Sequence, residues 1–114
     1  LTISPRQQVD FLAGVAQGEF GIEPRNLQIL RRAMWIEDTP RGPLYAKTGW
    51  AHFPEKNRNV GWYVGWIEGA DETLVFAYNC RREQPVPANF VPDRIARTRA
   101  CLERIGWLGK ASGK

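Results

Sequence analysis

The chain has 114 residues, 43% apolar and 25% charged, and 16 basic against 12 acidic side chains give it a net charge of +4. That is the composition of one folded domain with a modest core and excludes a disordered chain. No apolar run nears the ~20 residues of a membrane-crossing helix, no stretch has the order of a secretory leader, and the basic residues are too scattered for a polycationic tail.

In chain order, Ser4-Pro5-Arg6-Gln7 carries the marks of a helix start: a capping hydroxyl, a proline at the first position and a glutamine three residues after the cap. Val9, Leu12, Val15 and Ala16 follow at helical spacing, and Gly18 and Gly21 stop the run. Glu23-Pro24 opens a second helix with Leu27, Leu30, Ala33 and Met34 on one stripe, extending to the turn signal Thr39-Pro40-Arg41-Gly42-Pro43. Leu44 to Trp50 reads as a strand, His52 to Asn59 as a polar connection, and Val60 to Glu68 as the strongest strand, rich in aromatic and β-branched residues. After Gly69-Ala70-Asp71-Glu72, a third strand runs from Thr73 to Cys80. Pro92 opens a last helix with Ile95, Thr98, Leu102 and Ile105 as its apolar stripe, ending at Gly106. The pattern predicts an α+β fold: three antiparallel strands flanked by N- and C-terminal helices. The two near-continuously apolar strands call for cover on both faces and for further strand neighbours.

Cys80 and Cys101 are the only cysteines; their spacing makes no zinc site, and they read either as one disulfide or as two separate buried thiols. His52, the only histidine, reads as an exposed loop residue. Trp62, Tyr63 and Trp66 read as core aromatics.

Lys47-Thr48-Gly49 offers an ammonium, a hydroxyl beside it, and a glycine that lets a ligand lie against a strand edge. Alone, the tripeptide is equally an exposed strand lysine followed by a turn glycine. Its neighbours are Trp50, then Gly61-Trp62-Tyr63-Val64-Gly65-Trp66-Ile67-Glu68, then Phe76-Ala77-Tyr78-Asn79. This run resembles the C-terminal half of class D β-lactamases, the oxacillinases, and of the related β-lactam sensor and penicillin-binding transpeptidase domains. The opening Gln8-Val9-Asp10-Phe11-Leu12 and the closing segment from Pro92 to Leu108 resemble the same family, so the likeness covers essentially the whole chain.

The resemblance implies a β-lactamase/transpeptidase-like fold in which the three strands belong to a larger five-stranded sheet. It implies that Lys47, Thr48 and Gly49 line the substrate edge, where Lys47 and Thr48 meet the substrate carboxylate, with Lys47 also catalytic, and that Trp50 supplies one backbone N–H of an oxyanion hole. Arg94 would hold the carboxylate of a β-lactam antibiotic; read without the resemblance, Arg94 is a solvated residue of a helix's first turn. The reaction implied is acyl transfer to serine, in which a lysine carboxylated by CO2 is the base. The Ser-x-x-Lys element is missing: the only serines are Ser4 and Ser112, neither with a lysine three places on. Leu1 stands where a methionine would begin a chain. The expectation is therefore a C-terminal piece, residues 1–114, of a bacterial periplasmic or secreted serine β-lactamase, or of a sensor that turns over slowly. The piece would be inactive alone, with the N-terminal half of the domain as its partner. It would carry no cofactor, no metal, no membrane span and no nucleic-acid site.

Overall fold

The computed structural model describes residues 3–109. Helix α1 (Pro5–Ala16) starts with a complete capping box: Ser4 Oγ accepts the Gln7 N–H at 3.1 Å and Gln7 Oε1 accepts the Ser4 N–H at 2.9 Å. Helix α2 (Pro24–Met34) begins at its proline and buries Leu27 and Met34.

The second helix does not run to the Thr39 turn: it ends at Met34, and Trp35–Thr39 is a strand, β1. The segment carries an aromatic, a β-branched isoleucine and a threonine, and it hairpins onto β2 (Gly42–Phe53). Thr39 Oγ1 secures the turn, accepting the N–H groups of Arg41 (3.1 Å) and Gly42 (3.2 Å) and donating to the Gly42 carbonyl (2.7 Å). Gly42 has a φ of 147°, and a Cβ there would lie 1.9 Å from the Glu68 carbonyl oxygen, so only glycine fits. The sheet accordingly has four strands where three were expected.

A short 3₁₀ turn (Pro54–Lys56) leads to β3 (Arg58–Glu68), and β4 (Thr73–Arg82) completes an antiparallel meander in the order β1-β2-β3-β4. The predicted polar connection His52–Asn59 is thus half strand: its two ends belong to β2 and β3, and residues 54–57 between them form the turn. Helix α3 (Phe90–Arg104) starts two residues before Pro92, which sits in the first turn where it costs no internal hydrogen bond.

The register sorts the side chains onto two faces. Tyr45 and Trp66 pack with Leu12 and Met34 beneath α1 and α2; Leu44 and Ile67 pack with Leu102, Trp107 and Leu108 at the α3 side. Trp66 and Ile67 are adjacent in sequence and both 0% exposed. That is why the β3 sequence reads as continuously apolar: it is covered on both faces. Two ion pairs tie helices to the sheet, Arg31 to Glu68 at 2.8 Å and Arg99 to Glu37 at 2.7 Å. The cysteines are both free; Cys80 is half-buried and Cys101 exposed, so neither the disulfide nor a pair of buried thiols is formed.

Candidate functional site

Strand β1 covers β2 only as far as Tyr45. From Ala46 to Phe53, β2 pairs with β3 alone, and its other edge is unpaired among the described residues. Gly42 turns both its N–H and its carbonyl toward Thr39 on β1. The β2–β3 register then runs unbroken from Leu44↔Ile67 to Phe53↔Arg58. Backbone groups alternate along such a strand, so Thr48 and Trp50 turn their N–H and carbonyl groups to the unpaired edge. Lys47 agrees: its Nζ reaches the Thr48 carbonyl at 3.2 Å.

The same alternation separates the side chains. Lys47 and Gly49 share the α1 face with Trp62 and Val64, and with Ile3 and Gln8 they line a shallow cleft beside Thr48. Thr48, Trp50 and His52 lie on the α3 face. Lys47 and Arg94 therefore approach the edge of β2 from opposite sides of the sheet.

Arg94 is not the solvated residue of the alternative reading: it is 1% exposed. Its Nη1 donates to the Gly49 carbonyl and, at 3.4 Å, to the Trp62 carbonyl, while Nε donates to the Val91 carbonyl at 3.4 Å. The Phe90 ring lies 5.0 Å and the Trp50 ring 6.0 Å from its guanidinium carbon. Gly61 makes the room, since a Cβ there would stand 2.6 Å from Nη1. Among the described residues no carboxylate pairs with Arg94 and Nη2 has no hydrogen-bond partner. A buried cation held by carbonyl dipoles, with one donor group unspent, has the chemistry to receive an oxyanion.

The four expected positions on β2 are thus contiguous along an open edge, and Arg94 touches the middle of them at Gly49. The side-chain contacts that wall the site are not legible in the sequence. Trp50 is half exposed, yet its indole N–H donates to Asn59 Oδ1 at 2.9 Å and its ring meets Phe90 edge-on at 4.9 Å. His52 is exposed but stands on β2, not in a loop, with Nδ1 3.0 Å from the same Asn59 oxygen. Asn59 itself is 1% exposed.

Ser4 is the only serine among the described residues, and its hydroxyl is occupied by the cap of α1; Ser112 lies outside them. Among the described residues no three His, Cys, Asp or Glu side chains cluster as metal ligands, and no helix is long and apolar enough to cross a membrane.

Residues 1–97 match the model of the penicillin binding protein transpeptidase domain. Beta-lactamase OXA-19 of Pseudomonas aeruginosa is 34% identical over 80 residues, covering 69% of this chain and 30% of that protein. The solved class D β-lactamase YbXI from Nostoc superposes with a TM-score of 0.78 at 33% identity, over 95% of this chain and 43% of that one. The C-terminal domain of the Bacillus licheniformis BlaR penicillin receptor does so with a TM-score of 0.78 at 25% identity, over 94% and 42%. The chain thus spans less than half the length of each of these relatives.

Proposed function

The chain belongs to the penicillin-binding protein transpeptidase domain family, and on that premise we propose that it is the substrate-clamping C-terminal segment of a class D-like serine β-lactamase. In this reading the parent domain opens the β-lactam amide through a serine acyl-enzyme. The substrate lies along the unpaired edge of β2. Its carboxylate meets Arg94 and Thr48, Lys47 borders the reacting centre from the other face, and the Trp50 N–H receives the developing oxyanion. The nucleophile of the Ser-x-x-Lys element, the carboxylated lysine that would act as base and a fifth strand belong to sequence outside these 114 residues.

The observation that carries the reading is Arg94, buried without a carboxylate partner among the described residues and anchored by Nη1 to the carbonyl of Gly49 in the Lys47-Thr48-Gly49 strand. A guanidinium in that position gives up most of its water without gaining a counter-ion, which a substrate carboxylate would supply. A chromogenic cephalosporin tests the reading. The isolated chain should not hydrolyse it, and adding a polypeptide that carries the Ser-x-x-Lys half should restore turnover. Hydrolysis by the isolated chain contradicts the segment reading.

The likeness to the BlaR penicillin receptor favours one second reading, a β-lactam sensor that is acylated and turns over slowly. The lifetime of the acyl adduct in the complete protein separates the two: an adduct stable for many minutes identifies the sensor.

A further inference from the structure

Among the described residues, tyrosines aside, the buried polar or charged side chains are Asn59, Arg94 and Thr98. Thr98 is satisfied within its own helix, by the Arg94 carbonyl at 2.8 Å, and Arg94 has its place in the site above. Asn59 is explained by neither the fold nor the substrate contacts. A buried amide is costly unless its hydrogen bonds are made, and the bonds this one makes lead to the site.

Their chemistry is fixed without ambiguity. An indole nitrogen only donates, so the Asn59 atom 2.9 Å from Trp50 Nε1 is the carbonyl oxygen. The amide nitrogen then points the other way, to the Arg82 carbonyl at 3.5 Å. The same carbonyl oxygen lies 3.0 Å from His52 Nδ1, and since it cannot donate, Nδ1 carries the proton. One oxygen, with both lone pairs used, therefore ties together two side chains of the unpaired edge strand. Asn59 faces His52 directly across β2 and β3 and lies diagonal to Trp50, whose partner is Gly61.

We propose that Asn59 is a positioning residue of this site: its carbonyl holds the Trp50 indole as the outer wall beside Arg94 and, through that side chain, fixes the backbone of Trp50 at the open edge. A half-exposed tryptophan on an unpaired strand edge would otherwise sample several rotamers; here Asn59 holds its indole N–H and Phe90 packs edge-on against its ring. The consequence for acyl transfer rests on the function proposed above; the positioning itself does not.

Two measurements separate them. In nitrogen-15 NMR of this chain, the Trp50 indole proton should exchange slowly and His52 should be the Nδ1–H tautomer. Asn59→Leu should abolish both signatures and Asn59→Asp, which keeps an acceptor oxygen, should retain them. A wild-type Trp50 indole proton exchanging as fast as a free indole overturns the positioning role by itself. In the complete domain, Asn59→Leu should slow acylation by benzylpenicillin roughly ten- to hundredfold, the upper end being the cost of misplacing a reacting group by about 1 Å. Asn59→Asp should recover most of the rate, and in a Trp50→Phe background Asn59→Leu should add little, because both act through one contact. Acylation at the wild-type rate in Asn59→Leu, or a full additive loss on Trp50→Phe, refutes the proposal. A wild-type domain that benzylpenicillin does not acylate refutes the proposed function instead, and the NMR signatures then decide the role of Asn59.

Discussion

Gly65 is where the sheet tolerates least change, and Gly65→Ala is a sharp test of how the Lys47-Thr48-Gly49 strand is held. A Cβ at position 65 would stand 2.0 Å from the Tyr45 carbonyl oxygen and 2.8 Å from Ala46 Cα, both of them backbone atoms of β2. Ordinary contact is about 3.5 Å, so β2 and β3 would have to part by about 1.5 Å beside Lys47. That displacement breaks roughly two ladder hydrogen bonds, each about 0.5–1.5 kcal/mol net. Overpacking adds roughly 1–3 kcal/mol, and the neighbouring Tyr45–Trp66 contact, centroids 5.2 Å apart, is disturbed as well. The expected loss is about 2–6 kcal/mol out of a total stability of roughly 6–17 kcal/mol for a chain of this length, which is a fall in Tm of roughly 8–25 °C. Urea unfolding followed by tryptophan fluorescence measures it. Gly49→Ala is the control: its Cβ would meet only Trp62 Cβ, at 3.7 Å, so its stability should stay within about 1 kcal/mol of wild type. A Gly65→Ala chain as stable as wild type, or a Gly49→Ala chain that loses as much, would refute this account of the strand.

Other outcomes follow from the same geometry. In the complete domain, Arg94→Ala should weaken carboxylate-bearing β-lactams by about 1.5–3 kcal/mol, the worth of a charge-assisted hydrogen bond, and spare analogues lacking the carboxylate; equal loss for both in steady-state kinetics would make Arg94 structural only. The Arg99–Glu37 pair is bidentate but about one third exposed at each side chain, so Glu37→Gln should cost less than about 1 kcal/mol in urea; a loss of several kcal/mol would show that the link is not solvent-screened. Burial raises the pKa of Tyr63 and of Tyr45 above the ordinary 10.0. The folded state therefore holds these protons to higher pH than the unfolded chain does. Their contribution is fully present below pH 10 and is lost as pH rises through the folded-state values. Urea titrations at increasing alkaline pH should show falling stability, less steeply in Tyr63→Phe.

What the sequence makes legible here is local. The Ser4 cap, the two-faced apolar run of β3 and the adjacency of Lys47, Thr48, Gly49 and Trp50 can be read from neighbouring residues, and strand alternation alone puts Lys47 and Thr48 on opposite faces. Strand β1 is not legible in this way, because Met34 passes into Trp35 with no glycine or proline between them; only pairing with Gly42–Tyr45 makes Trp35–Thr39 a strand. The surroundings of Arg94 depend on the missing side chain of Gly61, on another element, and a first-turn arginine reads as solvated until that space is known. Asn59 is the extreme case. An asparagine before an apolar run looks like a turn residue, and its burial follows from the register that sets it opposite His52 and diagonal to Trp50.

The most direct test of the central claim, that these residues hold the substrate and another part of the domain attacks it, is intact-mass spectrometry after ampicillin treatment of this chain mixed with a separate polypeptide bearing the Ser-x-x-Lys half. The account predicts a covalent penicilloyl adduct on that second polypeptide and an unchanged mass for the 114-residue chain. An adduct on the 114-residue chain would contradict it.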